Sequence, residues 1–271
     1  MVLKLKMSKI ERDGLMFTMN HLIWVLIVLA VVVVAMKYLH QHQVPLEKLL
    51  NVCCVIALIS EFVKTFSVMR MVPTADGSMY YPYISMGHLP LHLCSIQIIL
   101  IFYVRFSSNT KMRETLLAFM YPSCLLGALM AIALPSIFND SVAVSEAFIH
   151  PLAYQFFLYH AMLIVLGLYI FTSKQVDLKP KHYGSTIAIL VLMAFVSLYV
   201  NSLVAAPVYV NGELQSVEYA ANMFFTYIPV LPIPLTEIWH WYIYLLVIVV
   251  LALTLIGVAY IPVRKRAKKQ N

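Results

Sequence analysis

Apolar residues in this sequence come in seven long runs, at about 18–38, 47–69, 88–106, 114–134, 150–172, 184–206 and 238–261. Each is close to the roughly 20 residues a helix needs to cross a hydrocarbon core of about 30 Å. Turn residues punctuate the runs: Pro45 precedes the second, Pro73 and Gly77 follow it, Pro135 closes the fourth, and Pro180 and Gly184 precede the sixth. Pro262 is expected to end the seventh. The pattern predicts an all-α membrane protein, a bundle of seven transmembrane helices forming a single polytopic domain over residues 1–271.

Composition agrees with that reading. The chain is 62% hydrophobic and only 11% charged, against about 25% charged in soluble domains. Residues 1–14 alternate apolar and basic side chains without the apolar core of a cleaved signal, which points to a short interfacial helix. The net charge of +7 would suggest nucleic acid in a soluble chain. Here the cations flank the apolar runs, so they orient the protein against anionic lipid, and no nucleic-acid partner is expected.

Counting lysine and arginine gives the orientation. With the N-terminus outside, the inside connections hold Lys37, Lys48, Arg105, Lys111, Arg113, Lys174, Lys179 and Lys181, and the tail adds Arg264, Lys265, Arg266, Lys268 and Lys269. Outside fall Lys4, Lys6, Lys9, Arg12 and Arg70, together with the acidic Asp76, Asp140, Glu146, Glu213 and Glu218. The expectation is N-outside and C-cytoplasmic.

Polar and ionisable groups inside apolar runs are costly and mark function by default. The second run carries Asn51, Cys54, Leu58, Glu61 and Thr65 at alternating spacings of 3 and 4, on one helical face. Lys64 stands three residues after Glu61, in reach of an ion pair that serves as glue or as a relay. The fifth run places His160 near its middle, with Gln155 on a nearby face and His150 at the interface ahead of Pro151. Between the sixth and seventh runs, residues 207–237 form a long connection. Asn211-Gly212 marks a turn with a small hairpin around it. The apolar remainder, broken by Pro229, Pro232 and Pro234, caps the bundle or re-enters it.

The third run opens with His88, Leu89, Pro90, Leu91, His92, Leu93, Cys94, Ser95, Ile96 and Gln97. As a continuous helix, His88 and His92 share a face, Cys94 and Gln97 share another, and Cys94 lies about 200° from His92. A cysteine attacks a carbonyl as its thiolate, and an apolar medium disfavours that anion, so a catalytic Cys94 needs a histidine base. His160 is the first choice and His150 the second, with His92 open if Pro90 distorts the helix start. Gln97, Gln155 or Asn222 could donate to an oxyanion. No motif requires a cofactor or a metal, and Cys53, Cys54 and Cys124 lack zinc-ligand spacing.

Three stretches carry a family resemblance. Leu89-Pro-Leu-His-Leu-Cys94, Tyr154-Gln-Phe-Phe-Leu-Tyr-His160, and Ala221-Asn222-Met-Phe-Phe followed by prolines and Trp239-His-Trp-Tyr242 resemble, in order, motifs of the YwaF family of bacterial seven-span membrane proteins. That family is related to the transmembrane protein 164 acyltransferases. Glu237-Ile-Trp-His-Trp-Tyr departs from the Pro-Trp-Pro-Trp-Tyr type usual there. The resemblance implies a multi-pass protein of a bacterial plasma membrane. It implies that Cys94 carries an acyl chain taken from a membrane phospholipid, with His160 as base, for transfer to a second lipid. Competing readings are an ion-coupled carrier using Glu61, Lys64 and the histidines, a structural or chaperone-like subunit, and, remotely, a haem protein. The oligomeric state is not written in the sequence.

Overall fold

The computed structural model describes residues 18–89, 91–135, 137–140, 142–210, 213–218, 221–227 and 235–269. The interfacial helix expected at residues 1–14, the Asn211-Gly212 turn and the three prolines of the long connection lie outside them. The protein is mostly helical, 74%. In chain order come α1 (Met19–Gln41), α2 (Leu46–Val68), β1 (Arg70–Pro73), β2 (Tyr80–Tyr83), α3 (Leu93–Phe106), α4 (Thr110–Ala133), α5 (Pro151–Thr172), α6 (His182–Leu203), β3 (Ala206–Val210), β4 (Glu213–Glu218) and α7 (Ile238–Lys268). Single turns of 3₁₀ helix cover Met86–His88 and Met223–Phe225.

Six of these helices are long and apolar enough to cross a membrane; α3, with 14 residues, is shorter. The helix of the third apolar run therefore starts at Leu93 rather than 88. Leu89, ahead of Pro90, is held extended at φ −58° and ψ 143°, as the proline ring demands of its neighbour, and His92 is extended at ψ 158°. His88 and His92 consequently share no helical face. A second boundary moves the other way. Pro262 lies inside α7, which runs on to Lys268. Proline cannot donate to the Val258 carbonyl, but Tyr260 and Val263 on either side are fully packed, and that packing carries the helix past the missing bond.

The all-α expectation holds for the spans and fails for two connections, which fold as antiparallel ribbons. In β1–β2, Arg70 pairs with Tyr83 and Pro73 with Tyr80, and Gly77 takes the left-handed φ of 71° that the turn requires. In β3–β4, Ala206 pairs with Glu218 and Val210 with Glu213, with a bulge at Val208/Tyr209. That ribbon is the hairpin expected around Asn211-Gly212.

The chain forms two compact units. The first holds α1, α2, the last part of α4 from Cys124, and α5. Its α5 is buried on nearly every face, as its uniformly apolar sequence dictates. Trp24 stacks between Phe157, at 4.8 Å, and Phe148, at 5.5 Å, and donates its indole N–H to Ala147 O at 2.9 Å. His21, also buried, bonds through Nε2 to Ile132 O at 2.8 Å, a carbonyl left over where α4 ends before Pro135.

The second unit holds both ribbons, α3, α4 as far as Ser123, α6 and α7. Buried hydroxyls tie its helices together. Tyr260 donates to Ala118 O at 3.0 Å and meets Thr186 Oγ1 at 3.1 Å, and Tyr121 donates to Ala259 O at 2.6 Å. Among the described residues every buried side-chain nitrogen and oxygen has a partner, the condition a membrane interior imposes. Leucines, valines and isoleucines along α1, α6 and α7 are exposed, the surface a lipid-facing helix presents.

Candidate functional site

The site residues fall in both units, and each set is built by its own local structure. In the second unit, Cys94 is the second residue of α3 and half-buried. It stands in the first helical turn, whose amides have no acceptor within the helix and form the positive end of its dipole. His92 is the N-cap, yet its side chain makes no cap hydrogen bond, and its ring lies 6.5 Å from that of Phe225. His88 is half-buried at the end of its 3₁₀ turn. Gln97 is fully buried one turn beyond Cys94. Its amide nitrogen donates to Ser123 Oγ at 3.0 Å and Leu93 O at 3.3 Å, and Ser123 donates in turn to Phe119 O at 2.8 Å. Both amide hydrogens are thereby engaged, so Gln97 ties α3 to α4 rather than pointing a donor at a substrate.

Phe225 belongs to a short irregular segment that sequence reasoning only partly found. Phe224 and Phe225 both take left-handed backbone, φ 54° and 55°, a conformation costing a bulky residue roughly 1–2 kcal/mol. A hydrogen-bonded clamp holds them there. Asn201, fully buried on α6, accepts the Met223 N–H at 2.9 Å and donates to Met223 O at 3.0 Å and Thr226 Oγ1 at 2.8 Å. Trp241 Nε1 donates to Thr226 O at 3.0 Å, and the Tyr244 hydroxyl to Phe225 O at 2.6 Å. Asn222 accepts the Tyr227 N–H through Oδ1 at 3.0 Å, which turns its amide nitrogen, the donor end, away from that bond. Asn222 was legible beforehand; Asn201 and Thr226 were not, because their pairing joins a span to an irregular segment.

In the first unit, His160 is buried in α5. Its Nδ1 donates to Phe156 O at 2.6 Å, and its ring contacts Phe156 and Tyr159. A carbonyl can only accept, so Nδ1 carries the proton and Nε2 presents its lone pair. Gln155 donates to Ser60 Oγ of α2 at 2.7 Å, joining the two helices. His150 caps α5, its Nδ1 accepting the Leu152 N–H at 3.2 Å, a structural use of the ring. Lys64 and Glu61 pair at 2.7 Å. The packed stripe of α2 runs through Leu50, Cys53, Ala57 and Ser60, so the sequence-read stripe is turned about one residue away from it, with Leu58 facing out. Cys94 and His160 thus belong to different units. Among the described residues no group of three or more histidine, cysteine or acidic side chains could hold a metal.

No curated protein and no solved structure matches the chain. The model of the TMEM164 family matches residues 16–260, and the chain belongs to that family.

Proposed function

We propose that this TMEM164-family membrane protein is a lipid acyltransferase of the YwaF branch, in a bacterial plasma membrane with its N-terminus outside, in which Cys94 is the nucleophile and His160 the base. The observation that carries the reading is His160. Its proton is pinned to Phe156 O, which leaves Nε2 as an acceptor inside an apolar helix, the form a general base needs.

In the proposed reaction His160 Nε2 takes the thiol proton as the sulfur attacks the ester carbonyl of a phospholipid. The tetrahedral oxyanion is met by amides of the first turn of α3 and by Asn222. The carbon–oxygen bond breaks, the lysolipid oxygen receives the proton from His160, and the acyl chain stays on Cys94 as a thioester. An acceptor hydroxyl on a second lipid then gives its proton to His160 and attacks the thioester, which restores the thiol. Glu61 and Lys64, closed on one another, act as structural glue rather than as a relay.

The test is intact mass of the purified protein after incubation with an acyl-labelled phospholipid. Wild type gains one acyl mass that neutral hydroxylamine removes, Cys94→Ala gains none, and His160→Ala gains it at least 100-fold more slowly. An adduct that persists in Cys94→Ala, or no adduct with any phospholipid class, overturns the reading.

A further inference from the structure

The β1–β2 ribbon is an exposed feature that the proposed site does not use. It follows α2 after the single residue Met69, so one end of it is fixed at the membrane surface. Cross-strand pairing puts Arg70, Val72, Tyr81 and Tyr83 on one face, and Met71 and Tyr80 on the other. Tyr81 is 45% exposed, Tyr83 44%, Tyr80 64% and Met71 60%, so nothing among the described residues covers either face. An isolated two-stranded ribbon is marginal in water.

The ribbon is polarised along its length. Its distal turn is polar and closed on itself: the Thr74 hydroxyl donates to Asp76 Oδ1 at 2.5 Å, and the Ser78 N–H donates to the same oxygen at 3.2 Å. Those bonds hold the exposed Asp76 carboxyl down to about 2, so the tip is charged and belongs in water. The membrane end is aromatic and carries Arg70, which enters no ion pair among the described residues. Four strand residues reach about 13 Å, and the headgroup layer is about 5–8 Å deep on each side. A ribbon lying obliquely therefore keeps its tyrosines in that layer while its tip emerges. Tyrosine, with an apolar ring and a polar tip, favours this layer, and an unpaired guanidinium matches the phosphate found there.

We infer that the β1–β2 ribbon is a docking surface for the phospholipid headgroup layer, its tyrosines seated among the glycerol groups and Arg70 on a lipid phosphate. The inference does not depend on acyl transfer.

The experiment reconstitutes the full chain in phosphatidylethanolamine–phosphatidylglycerol vesicles and follows tryptophan fluorescence added by Tyr81→Trp or, at the tip, by Ala75→Trp, relative to wild type. Lipid brominated near the top of the acyl chains should quench the Tyr81→Trp signal at least two-fold, while aqueous iodide quenches only Ala75→Trp. Adding Arg70→Gln should at least double iodide access to Tyr81→Trp. Iodide quenching of Tyr81→Trp equal to that of Ala75→Trp overturns the docking surface, and access unchanged by Arg70→Gln overturns the phosphate contact. If Tyr81→Trp fails to fold, Tyr83→Trp, on the same face, gives the same readout.

Discussion

Removing the Asn201 side chain tests whether the segment behind His92 is held by the clamp. In Asn201→Ala, Met223, fully buried, loses the acceptor of its N–H, while its carbonyl keeps the Thr226 hydroxyl at 3.1 Å. An orphaned buried donor costs about 1–3 kcal/mol. The two bonds that Asn201 donates add about 0.6 kcal/mol each on the scale measured between membrane helices. The expected loss is therefore about 2–4 kcal/mol, and the left-handed Phe224 and Phe225 pull in the same direction once released.

Hydrogen exchange read by mass spectrometry on residues 221–227 measures it locally. A 2.7 kcal/mol loss is about 100-fold faster exchange at Met223 and Tyr227. Peptides around Ser60 and Gln155, in the other unit, should be unchanged. Thr226→Val, which keeps the Met223 N–H bonded to Asn201, should accelerate exchange about tenfold less. Exchange equal to wild type in Asn201→Ala, or an equal rise in both units, would refute the clamp.

Two further outcomes follow from the polar pairs. Lys64→Met alone should destabilise the protein by about 1–3 kcal/mol, because it leaves Glu61 half-buried and unpaired. Adding Glu61→Gln should restore most of the loss, and a double-mutant cycle in detergent denaturation that shows simple additivity would count against glue. At the ribbon tip, Asp76 is held low by the Thr74 and Ser78 bonds, so the order it confers is complete above the unfolded carboxyl value of about 4 and is lost as pH falls towards 2. Exchange of the Ser78 amide should be pH-corrected constant above pH 5 and rise below pH 4, and Asp76→Asn should abolish the transition.

Six of the seven expected spans are legible because apolar runs of about twenty residues admit one reading. What the runs concealed lies where helices stop. The apolar pattern puts the start of α3 five residues early because His88 to Leu91 is apolar enough to pass as helix, although Pro90 already biases Leu89 away from it. The β1–β2 ribbon had a signal in Asp76-Gly77 between Met-Val and Tyr-Tyr-Pro-Tyr, which punctuation alone undersold. His21 and Asn201 had none. A lone polar residue in an apolar run reads as generic glue. Its partner, a carbonyl freed by a helix end or a backbone in left-handed conformation, exists only once the chain is folded.

His92 offers the sharpest separation of stability from activity. Serine, threonine, aspartate and asparagine cap helices by accepting a first-turn amide, and a side chain that does not do so forgoes about 1 kcal/mol. At α5 the chain does use a histidine in that way, His150 accepting the Leu152 N–H. At α3 the N-cap is again histidine, with suitable extended backbone, yet no cap bond forms and the ring lies near Phe225. The proposed acyl-transfer site would use a ring held off the cap two residues before the nucleophile in the chain. His92→Ser should then raise thermal stability by roughly 2–4 °C while slowing formation of the Cys94 thioester at least tenfold. Greater stability with an unchanged rate would assign His92 to packing alone and leave the chemistry to Cys94 and His160.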